Sequence, residues 1–319
     1  MEKDVCLLLQ DVSDEAAAEL RALAPELEFI QVKRGDVLDD SVLRRVKVFY
    51  SHATAPFDAV LNLPDSRPDW LQLRSAGFDR LDPAAVRAKG MVVTNASGIH
   101  GTQMAETLFG ILLGKARGLF DAARQQDAAV WNNRHRYEEI TGRTMAIVGA
   151  GKVGRSIAAV ARHGFAMPVF GVTRRGLPDD AFDRVYAIGD WRDAVAEADI
   201  VVNLLPLDDG TRRFFDAAAF EACKKGAWFI NMGRGGTVDT DALLAALDAG
   251  RLGFAALDVF EKEPLPADSP LWARHDVFLT PHTGGLSVFY EDRAFALFKA
   301  NLAAYVKTGK PAINVVDLP

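Results

Sequence analysis

The chain has 319 residues, of which 49% are apolar and 25% charged, and this length suggests two globular domains rather than one core. A net charge of −6 gives it no electrostatic reason to bind nucleic acid or an anionic membrane surface. Two isolated cysteines, no apolar run of about 20 residues and a mixed-charge start at residues 1–4 argue against a disulfide scaffold, a membrane span and a secretory signal.

Short apolar runs alternate with amphipathic stretches along the first hundred residues. Strands are predicted at 5–9, 46–50, 59–61, 71–75 and 91–94, with helices at 13–23 and 83–88. The apolar runs are continuous rather than alternating, which is typical of parallel strands covered on both faces. Residues 99–129 then show a helical pattern.

A second series of the same kind follows. Its strands are predicted at 144–148, 169–172, 200–205, 228–232, 254–259 and 277–280, and its helices at 152–163, 191–197, 217–223 and 240–249. Residues 287–308 close the chain as one long predicted helix. The predicted fold is therefore α/β, with two doubly wound parallel-sheet domains. We expect a cytoplasmic protein with no membrane or nucleic-acid partner, and no metal site, because the six histidines lack zinc-ligand spacing.

A glycine-rich turn lies between the strand predicted at 144–148 and the helix that follows it. Gly149 permits the tight turn, Gly151 lets the backbone approach a pyrophosphate, and Gly154 lets the helix pack closely on the sheet. The amides of Lys152 and Val153 can face phosphate oxygens at the helix N-terminus. The context predicts a dinucleotide site, whereas a glycine turn without a ligand is the alternative.

The next predicted strand, 169–172, ends at the place where NAD-specific sites carry an acid for the ribose 2′-hydroxyl. Thr173, Arg174 and Arg175 stand there instead. Guanidinium groups can hold a 2′-phosphate, which a carboxylate would repel. The sequence therefore predicts a preference for NADP(H), with NAD(H) possible, unless the two arginines are merely solvated cations.

Three predicted strands of the second series lead into polar residues at the edge that parallel strands share. Arg234 suits a cation that binds a carboxylate and polarises a keto oxygen. His282 suits a proton donor because an imidazole ordinarily titrates near neutrality, and Glu263 can orient that imidazole. This set predicts hydride transfer at C2 of a 2-oxo acid. As alternatives, these residues could be surface or loop charges, and Asp258 could simply end a strand.

Four segments together resemble the D-isomer-specific 2-hydroxyacid dehydrogenases in order and spacing: residues 149–154, 231–236, 257–264 and 281–285. The resemblance covers nearly the whole chain. It implies that Arg234, Glu263 and His282 are catalytic, and that Arg234 and His282 also bind substrate. It implies a Rossmann cofactor domain, 99–285, inserted into a flavodoxin-like substrate domain, 1–98 with 286–319.

The resemblance also implies roles for residues outside the catalytic set. Segment 73–79 resembles the loop whose amides hold the substrate carboxylate, and this role falls on Ala76 and Gly77. Further cofactor contacts would come from the ends of the later strands: Leu205, Pro206, Met232, Gly233, Arg234, Asp258, His282, Gly284 and Gly285. Family members are usually homodimers with the region 122–137 in contact, where Trp131 and Tyr137 could serve either the interface or the core.

The paired arginines depart from NAD-preferring members and are similar to those of NADPH-preferring glyoxylate/hydroxypyruvate reductases. A small 2-oxo acid, reduced reversibly to its D-2-hydroxy acid, is therefore the expected substrate. Glu263 beside His282 argues against a formate dehydrogenase. Two alternatives remain: a dehydrogenase for another acid such as phosphoglycerate or phosphite, and a nucleotide-sensing scaffold, like the corepressors that resemble this family, with little turnover.

Overall fold

The computed structural model describes residues 2–33, 35–51, 55–78, 81–134 and 136–318. The chain divides into two compact units, one of residues 1–99 and 288–319 and one of residues 100–287. The boundaries predicted from sequence lie within two residues of these, and the assignment of substrate to one unit and cofactor to the other remains a prediction.

The described part of the first unit contains one parallel sheet in the order β2-β1-β3-β4-β5. Its strands are β1 (Asp4–Leu8), β2 (Leu27–Gln31), β3 (Val46–Tyr50), β4 (Trp70–Gln72) and β5 (Val92–Thr94). Its helices are α1 (Asp14–Leu23), α2 (Asp40–Leu43), α3 (Ala55–Asn62), α4 (Pro83–Ala88) and α11 (Tyr290–Thr308). This strand order is that of flavodoxin-like sheets.

Side chains from both faces of this sheet are buried in two apolar layers. One layer includes Phe49 and Leu71, and the other includes Trp70 and Phe298 of α11. Caps mark where the helices begin: Ser13 accepts a hydrogen bond from the Ala16 amide, and Asp82 accepts one from the Ala84 amide.

One predicted element of this unit is wrong, and one was missed. Residues 59–61 are not a strand but belong to α3, whose buried residues Phe57 and Val60 are three apart, as on one face of a helix. A run of three apolar residues is too short to show this period. Strand β2 was missed because only its first residue, Leu27, is buried.

The described part of the second unit contains a seven-stranded parallel sheet in the order β12-β11-β10-β9-β6-β7-β8. Its strands are β6 (Met145–Val148), β7 (Val169–Thr173), β8 (Arg184–Ala187), β9 (Ile200–Asn203), β10 (Ala227–Asn231), β11 (Leu252–Leu257) and β12 (Val277–Leu279). Its helices are α5 (Gly101–Ala116), α6 (Leu119–Asp127), α7 (Lys152–Phe165), α8 (Trp191–Glu197), α9 (Ala217–Ala222) and α10 (Thr240–Asp248). Read from β8, this is the Rossmann order, extended by one strand.

Two apolar layers cover this sheet, one on each face. The fold class predicted from sequence, two doubly wound α/β domains, is therefore confirmed. The helical region predicted at 99–129 is two helices, because Gly118, with a φ of 65°, interrupts it. Strand β8 was missed since it lies at the sheet edge with none of its residues buried. Across the described residues, no helix is both long and apolar enough to cross a membrane.

Candidate active site

The candidate site lies along the carboxyl edge of the seven-stranded sheet. Because all its strands are parallel, the loops after β6, β9, β10, β11 and β12 leave from the same edge, in the spatial order of the strands. In open α/β sheets this edge is where ligands bind.

The glycine-rich turn after β6 has the geometry of a phosphate cradle. Gly149 has a φ of 91°, and a Cβ placed on it would lie 2.8 Å from the Leu204 carbonyl carbon. Gly151 is the N-cap of the fourteen-residue helix α7, so the amides of Lys152 and Val153 occupy its first turn. A Cβ on Gly154 would lie 3.2 Å from Ile147 Cγ2. Because these glycines carry no side chains, a ligand can approach the backbone amides at the N-terminus of α7. This arrangement fits a dinucleotide pyrophosphate.

The turn after β7 presents two cations. Thr173 ends the strand, and its hydroxyl accepts a 3.0 Å hydrogen bond from the Gly176 amide. A Cβ on Gly176, whose φ is 65°, would lie 2.6 Å from the Ala187 nitrogen, so the turn is closely packed. Arg174 and Arg175 project from it as exposed residues. Within the described part of the chain, neither forms an ion pair with an acid, which suits the binding of a 2′-phosphate.

Arg234 stands in the loop after β10, on a buried polar network that sequence reasoning missed. Asn203 donates to the Asn231 side-chain oxygen at 3.0 Å and to the Thr237 hydroxyl at 2.7 Å. Thr237 and Asn231 in turn donate to the Arg234 carbonyl at 2.6 and 3.3 Å. All three network residues are buried. They fix the backbone from which the Arg234 guanidinium extends.

Asp258 is buried just after β11 and binds the loop that carries His282. Its carboxylate accepts hydrogen bonds from the Thr280 hydroxyl at 2.6 Å and from the Thr283 amide at 2.9 Å. The Gly284 amide donates to both carboxylate oxygens, at 3.2 and 3.0 Å. Asp258 therefore positions the His282 loop, and its contact with a nicotinamide remains a prediction.

Glu263 and His282 form the central pair. Glu263 Oε2 lies 2.7 Å from His282 Nδ1, and Glu263 Oε1 accepts a 3.0 Å hydrogen bond from the Phe260 amide. Partial burial alone would raise the pKa of Glu263, but the hydrogen bonds from His282 and Phe260 and the Arg234 charge outweigh burial, so this pKa lies below its usual value. His282 has a φ of 56°, in the left-handed region that residues other than glycine adopt uncommonly.

The loops after β9, β10, β11 and β12 line a cavity of about 450 Å³. The predicted catalytic residues Arg234, Glu263 and His282 all contribute to its wall. The remaining lining residues were not predicted and come from the loops after β9, β10 and β11: Leu207, Arg212, Arg213, Gly235, Gly236, Phe260 and Glu261. The wall of this cavity thus brings a guanidinium, a carboxylate and an imidazole from three loops together.

The remaining predicted cofactor residues lie beside this cavity. A Cβ on Gly233 would lie 2.7 Å from the Leu205 carbonyl oxygen, so the loops after β9 and β10 touch there. A Cβ on Gly284 would lie 2.7 Å from Met232 Cε. Pro206 follows Leu205 as an exposed residue. The backbones at Leu205 and Gly233 are close enough that only glycine fits at position 233.

His100 is a further residue near the site that the sequence did not reveal. It precedes α5, and a Cβ on Gly285 would lie 3.1 Å from its Cδ2. Burial and, second, the positive charge of Arg234 lower the pKa of His100. No motif pointed to His100, because it stands in the connection between β5 and α5, away from the glycine turn and from the ends of β9 to β12.

Two predicted substrate residues, Ala76 and Gly77, lie in the first unit, beyond β4. Ser75 donates to the Gly77 carbonyl at 2.7 Å, and Asn95 donates to the Ala76 carbonyl at 2.7 Å. These two bonds engage both carbonyl groups of the loop. The last residue of the motif, Asp79, lies outside the described residues.

Among the residues that the structure describes, no group of three His, Cys, Asp or Glu side chains lies close enough together to hold a metal ion.

Comparison with known proteins places these features in a family context. The family described as "D-isomer specific 2-hydroxyacid dehydrogenase, NAD binding domain" matches residues 109–284. The chain is 36% identical to glyoxylate/hydroxypyruvate reductase B of Citrobacter koseri over 216 residues, which are 66% of each chain. It therefore aligns with about two thirds of the length of that relative.

Two solved structures cover nearly the whole chain. A D-isomer specific 2-hydroxyacid dehydrogenase family protein of Aeromonas salmonicida is 35% identical, with 100% of both chains covered and a TM-score of 0.83. A D-isomer specific 2-hydroxyacid dehydrogenase of Xanthobacter autotrophicus, solved in complex with NADPH and MES, is 28% identical. That match covers 99% of this chain and 98% of the other, with a TM-score of 0.81.

Proposed function

The chain belongs to the D-isomer specific 2-hydroxyacid dehydrogenase family and is an NAD(P)-dependent oxidoreductase, from which we propose that it reduces a small 2-oxo acid of the glyoxylate or hydroxypyruvate kind to its D-2-hydroxy acid. The observation that carries this proposal is the 2.7 Å contact between Glu263 and His282 on a cavity that Arg234 also lines. When bound, the reduced nicotinamide supplies a hydride to C2 of the substrate.

Arg234 is proposed to bind the substrate carboxylate and to polarise the keto oxygen. Its planar guanidinium can donate to two oxygens at once, which orients the substrate as well as attracting it. Because the network of Asn203, Asn231 and Thr237 holds its backbone, the cation requires little reorganisation when charge develops on the keto oxygen.

His282 is proposed to donate the proton that balances the hydride. Its Nδ1 faces Glu263, so Nε2 is the nitrogen left to face the keto oxygen. As the hydride adds to C2, the proton leaves Nε2 for that oxygen, and the product is a hydroxyl group. Glu263, whose lowered pKa keeps it ionised, stabilises the imidazolium before transfer. In the reverse direction, neutral His282 takes the proton back.

The amides of Ala76 and Gly77 are proposed to donate to the substrate carboxylate. Their carbonyl groups accept hydrogen bonds from Asn95 and Ser75, which leaves the loop fixed in one conformation. Backbone amides held in this way can bind an anion without a side-chain charge.

NADPH is proposed as the preferred hydride donor. The exposed Arg174 and Arg175 follow β7, where the adenosine ribose of a dinucleotide would lie, and no Asp or Glu stands at positions 173–175. The Xanthobacter autotrophicus relative, solved with NADPH, supports this preference.

A homodimer is proposed through α6 and the segment after it. Leu119, Val130, Trp131 and Tyr137 are exposed there, Trp131 to 96%. So exposed a tryptophan is typical of an interface. Sedimentation of the wild type and of Trp131→Glu tests this: a dimer that dissociates in the variant is expected, and a wild-type monomer would contradict the proposal.

Cys6 and Cys223 are buried, unpaired thiols, which supports a reducing compartment such as the cytoplasm.

The experiment that tests the function is a screen of NADPH oxidation with glyoxylate, hydroxypyruvate, pyruvate, phenylpyruvate and branched 2-oxo acids, repeated with NADH. We expect the highest kcat/KM for one of the two smallest acids with NADPH, and a product of D configuration by chiral chromatography. Cofactor binding without turnover of any acid would instead indicate a nucleotide-sensing scaffold.

A further inference from the structure

The loop beyond β9 contains a braced turn at residues 208–211. The Thr211 hydroxyl donates to the Pro206 carbonyl at 2.7 Å and accepts from the Asp208 amide at 2.8 Å. The Arg212 amide donates to the Asp208 carbonyl at 3.0 Å. On the other side, Phe215 is fully buried in the core. The backbone of Arg212 is therefore fixed at both ends.

Arg213, the next residue, is bound by the loops after β10 and β11. Its amide donates to the Gly236 carbonyl at 2.9 Å. Its guanidinium lies 3.4 Å from Asp239 and 3.6 Å from Glu261. Two acids thus balance this cation, so Arg213 serves to join loops rather than to attract a further anion.

Arg212 differs from its neighbour because, within the described ranges, no acidic side chain pairs with its guanidinium. It lines the same cavity as Arg234, Glu263 and His282. In that cavity Glu263 is engaged by His282, and Glu261 faces Arg213. Arg234 is assigned to the substrate carboxylate, so the charge of Arg212 has no counterpart in the reaction described above.

We propose that Arg212 forms a second anion site, which holds the distal carboxylate or phosphate of a 2-oxo acid whose own carboxylate binds Arg234. This inference rests on the proposed function and extends the substrates beyond glyoxylate and hydroxypyruvate to 2-oxo acids with a second, distal anion. A guanidinium on a fixed backbone recognises such a group by a charge-assisted, bidentate hydrogen bond. A substrate without the distal anion gains nothing from it, so Arg212 sets specificity rather than rate.

The test compares two matched pairs of substrates in wild type and Arg212→Ala. Oxaloacetate is paired with 2-oxobutyrate, which has a methyl group in place of the distal carboxylate, and 3-phosphohydroxypyruvate is paired with hydroxypyruvate. We expect kcat/KM to fall about 10- to 100-fold for at least one dianionic acid and less than about threefold for its partner. A larger loss in the oxaloacetate pair identifies the distal anion as a carboxylate, and a larger loss in the 3-phosphohydroxypyruvate pair identifies it as a phosphate.

Two control variants accompany it. Arg212→Lys retains the charge and should keep part of the discrimination. Arg192→Ala removes an exposed arginine of the same unit that does not line the cavity, and it should change neither pair. Equal losses for both members of each pair, or no loss in Arg212→Ala, would overturn the second anion site.

A binding measurement separates failure of this proposal from failure of the proposed function. The NADPH-saturated protein, in which no reaction with a hydroxy acid can proceed, is titrated calorimetrically with two matched pairs: D-malate with D-2-hydroxybutyrate, and D-3-phosphoglycerate with D-glycerate. Tighter binding of either dianionic acid than of its partner, lost in Arg212→Ala, supports the anion site even if no 2-oxo acid is reduced. If neither dianionic acid binds more tightly than its partner, or if the substitution leaves the difference unchanged, the anion site is contradicted even if reduction is fast.

Discussion

The hydroxyl of Thr237 donates a 2.6 Å hydrogen bond to the main-chain carbonyl of Arg234. The same hydroxyl accepts a 2.7 Å bond from the buried amide of Asn203, so a side chain at the end of β9 determines where a loop after β10 runs. The proposed substrate-binding cation therefore depends on residues that touch no ligand themselves.

Replacing Asn203 with leucine tests this dependence. The change removes the two hydrogen bonds that the Asn203 side chain donates to Asn231 and Thr237 in a buried setting, so the free energy of unfolding should fall by about 1–3 kcal/mol. Substrate KM should rise more than cofactor KM, because Arg234 loses its support. Urea denaturation and steady-state kinetics measure both. Asn62→Leu, at the exposed end of α3, is the control and should stay within about 0.5 kcal/mol of wild type. Normal kinetics in Asn203→Leu would show that Arg234 needs no such network.

His282→Gln removes the proposed proton donor and keeps a side chain of similar length. Turnover should fall by about 10²- to 10⁴-fold, which is the usual contribution of acid–base catalysis. NADPH affinity, measured by quenching of tryptophan fluorescence, should stay near that of wild type. A variant with nearly full turnover would remove His282 from the mechanism.

Glu263→Gln replaces the carboxylate that contacts Nδ1 of His282 with an amide of nearly the same shape. Because the proposed proton donor then loses the negative charge that orients its ring, kcat should fall by about 10- to 100-fold while NADPH affinity stays near that of wild type. Steady-state kinetics and a fluorescence titration with NADPH measure the two quantities. An unchanged kcat would mean that Glu263 does not act through His282.

The same substitution predicts an effect on stability with a definite sign. The folded-state pKa of Glu263 lies below its ordinary value of 4.5, so its ionised form stabilises the fold at higher pH. This contribution is present above about pH 4.5 and is lost as the pH falls through the lower, folded-state pKa. The difference in unfolding free energy between wild type and Glu263→Gln should therefore shrink on acidification. A difference that grows would contradict the assignment.

The double variant Arg174→Ala with Arg175→Ala tests the cofactor preference. Loss of two phosphate-binding cations should raise the KM for NADPH about 10- to 100-fold and leave the KM for NADH within about threefold. Arg192→Ala serves again as the exposed-arginine control. Equal effects on both cofactors would show that these arginines do not read the 2′-phosphate.

Gly235→Ala tests the close approach of the two loops that carry Arg234 and Glu263. A Cβ at this position would lie 1.9 Å from the Phe260 carbonyl carbon, so the loop with Arg234 must move away from the loop with Glu263. We expect kcat/KM to fall by at least about tenfold. Gly110→Ala, in an open position of α5, is the matched control and should add up to about 1 kcal/mol of stability. Unchanged activity in Gly235→Ala would show that the spacing is not critical.

The sequence predicted features that depend on local pattern. The glycine turn at 149–154 and the polar residues after β10, β11 and β12 could be found because a parallel sheet sends all strand ends to one edge. The fold class followed from the alternation of apolar runs and helices. The contact between Glu263 and His282 was expected on the same grounds, and the structure places them 2.7 Å apart.

What the sequence missed depends on contacts between distant segments. Asn203 and Thr237 are 34 residues apart, and nothing near either one marks a shared hydrogen bond. Arg212 and His100 likewise reach the site from segments without a motif. The residues 59–61 were assigned to a strand because the helical period of α3 is visible only once Phe57 is known to be buried.

Asp258 links β11 to the loop after β12 through four hydrogen bonds, and the two loops carry the carboxylate and the imidazole of the central pair. The distance between the carboxylate and the imidazole therefore follows from the spacing of β11 and β12, which are neighbours in the sheet. The ring of His282, the proposed acid, is therefore oriented by the fold before a substrate binds, so its rotational freedom is lost during folding and not in each binding event. The binding free energy of the substrate is then not reduced by the cost of ordering the His282 ring.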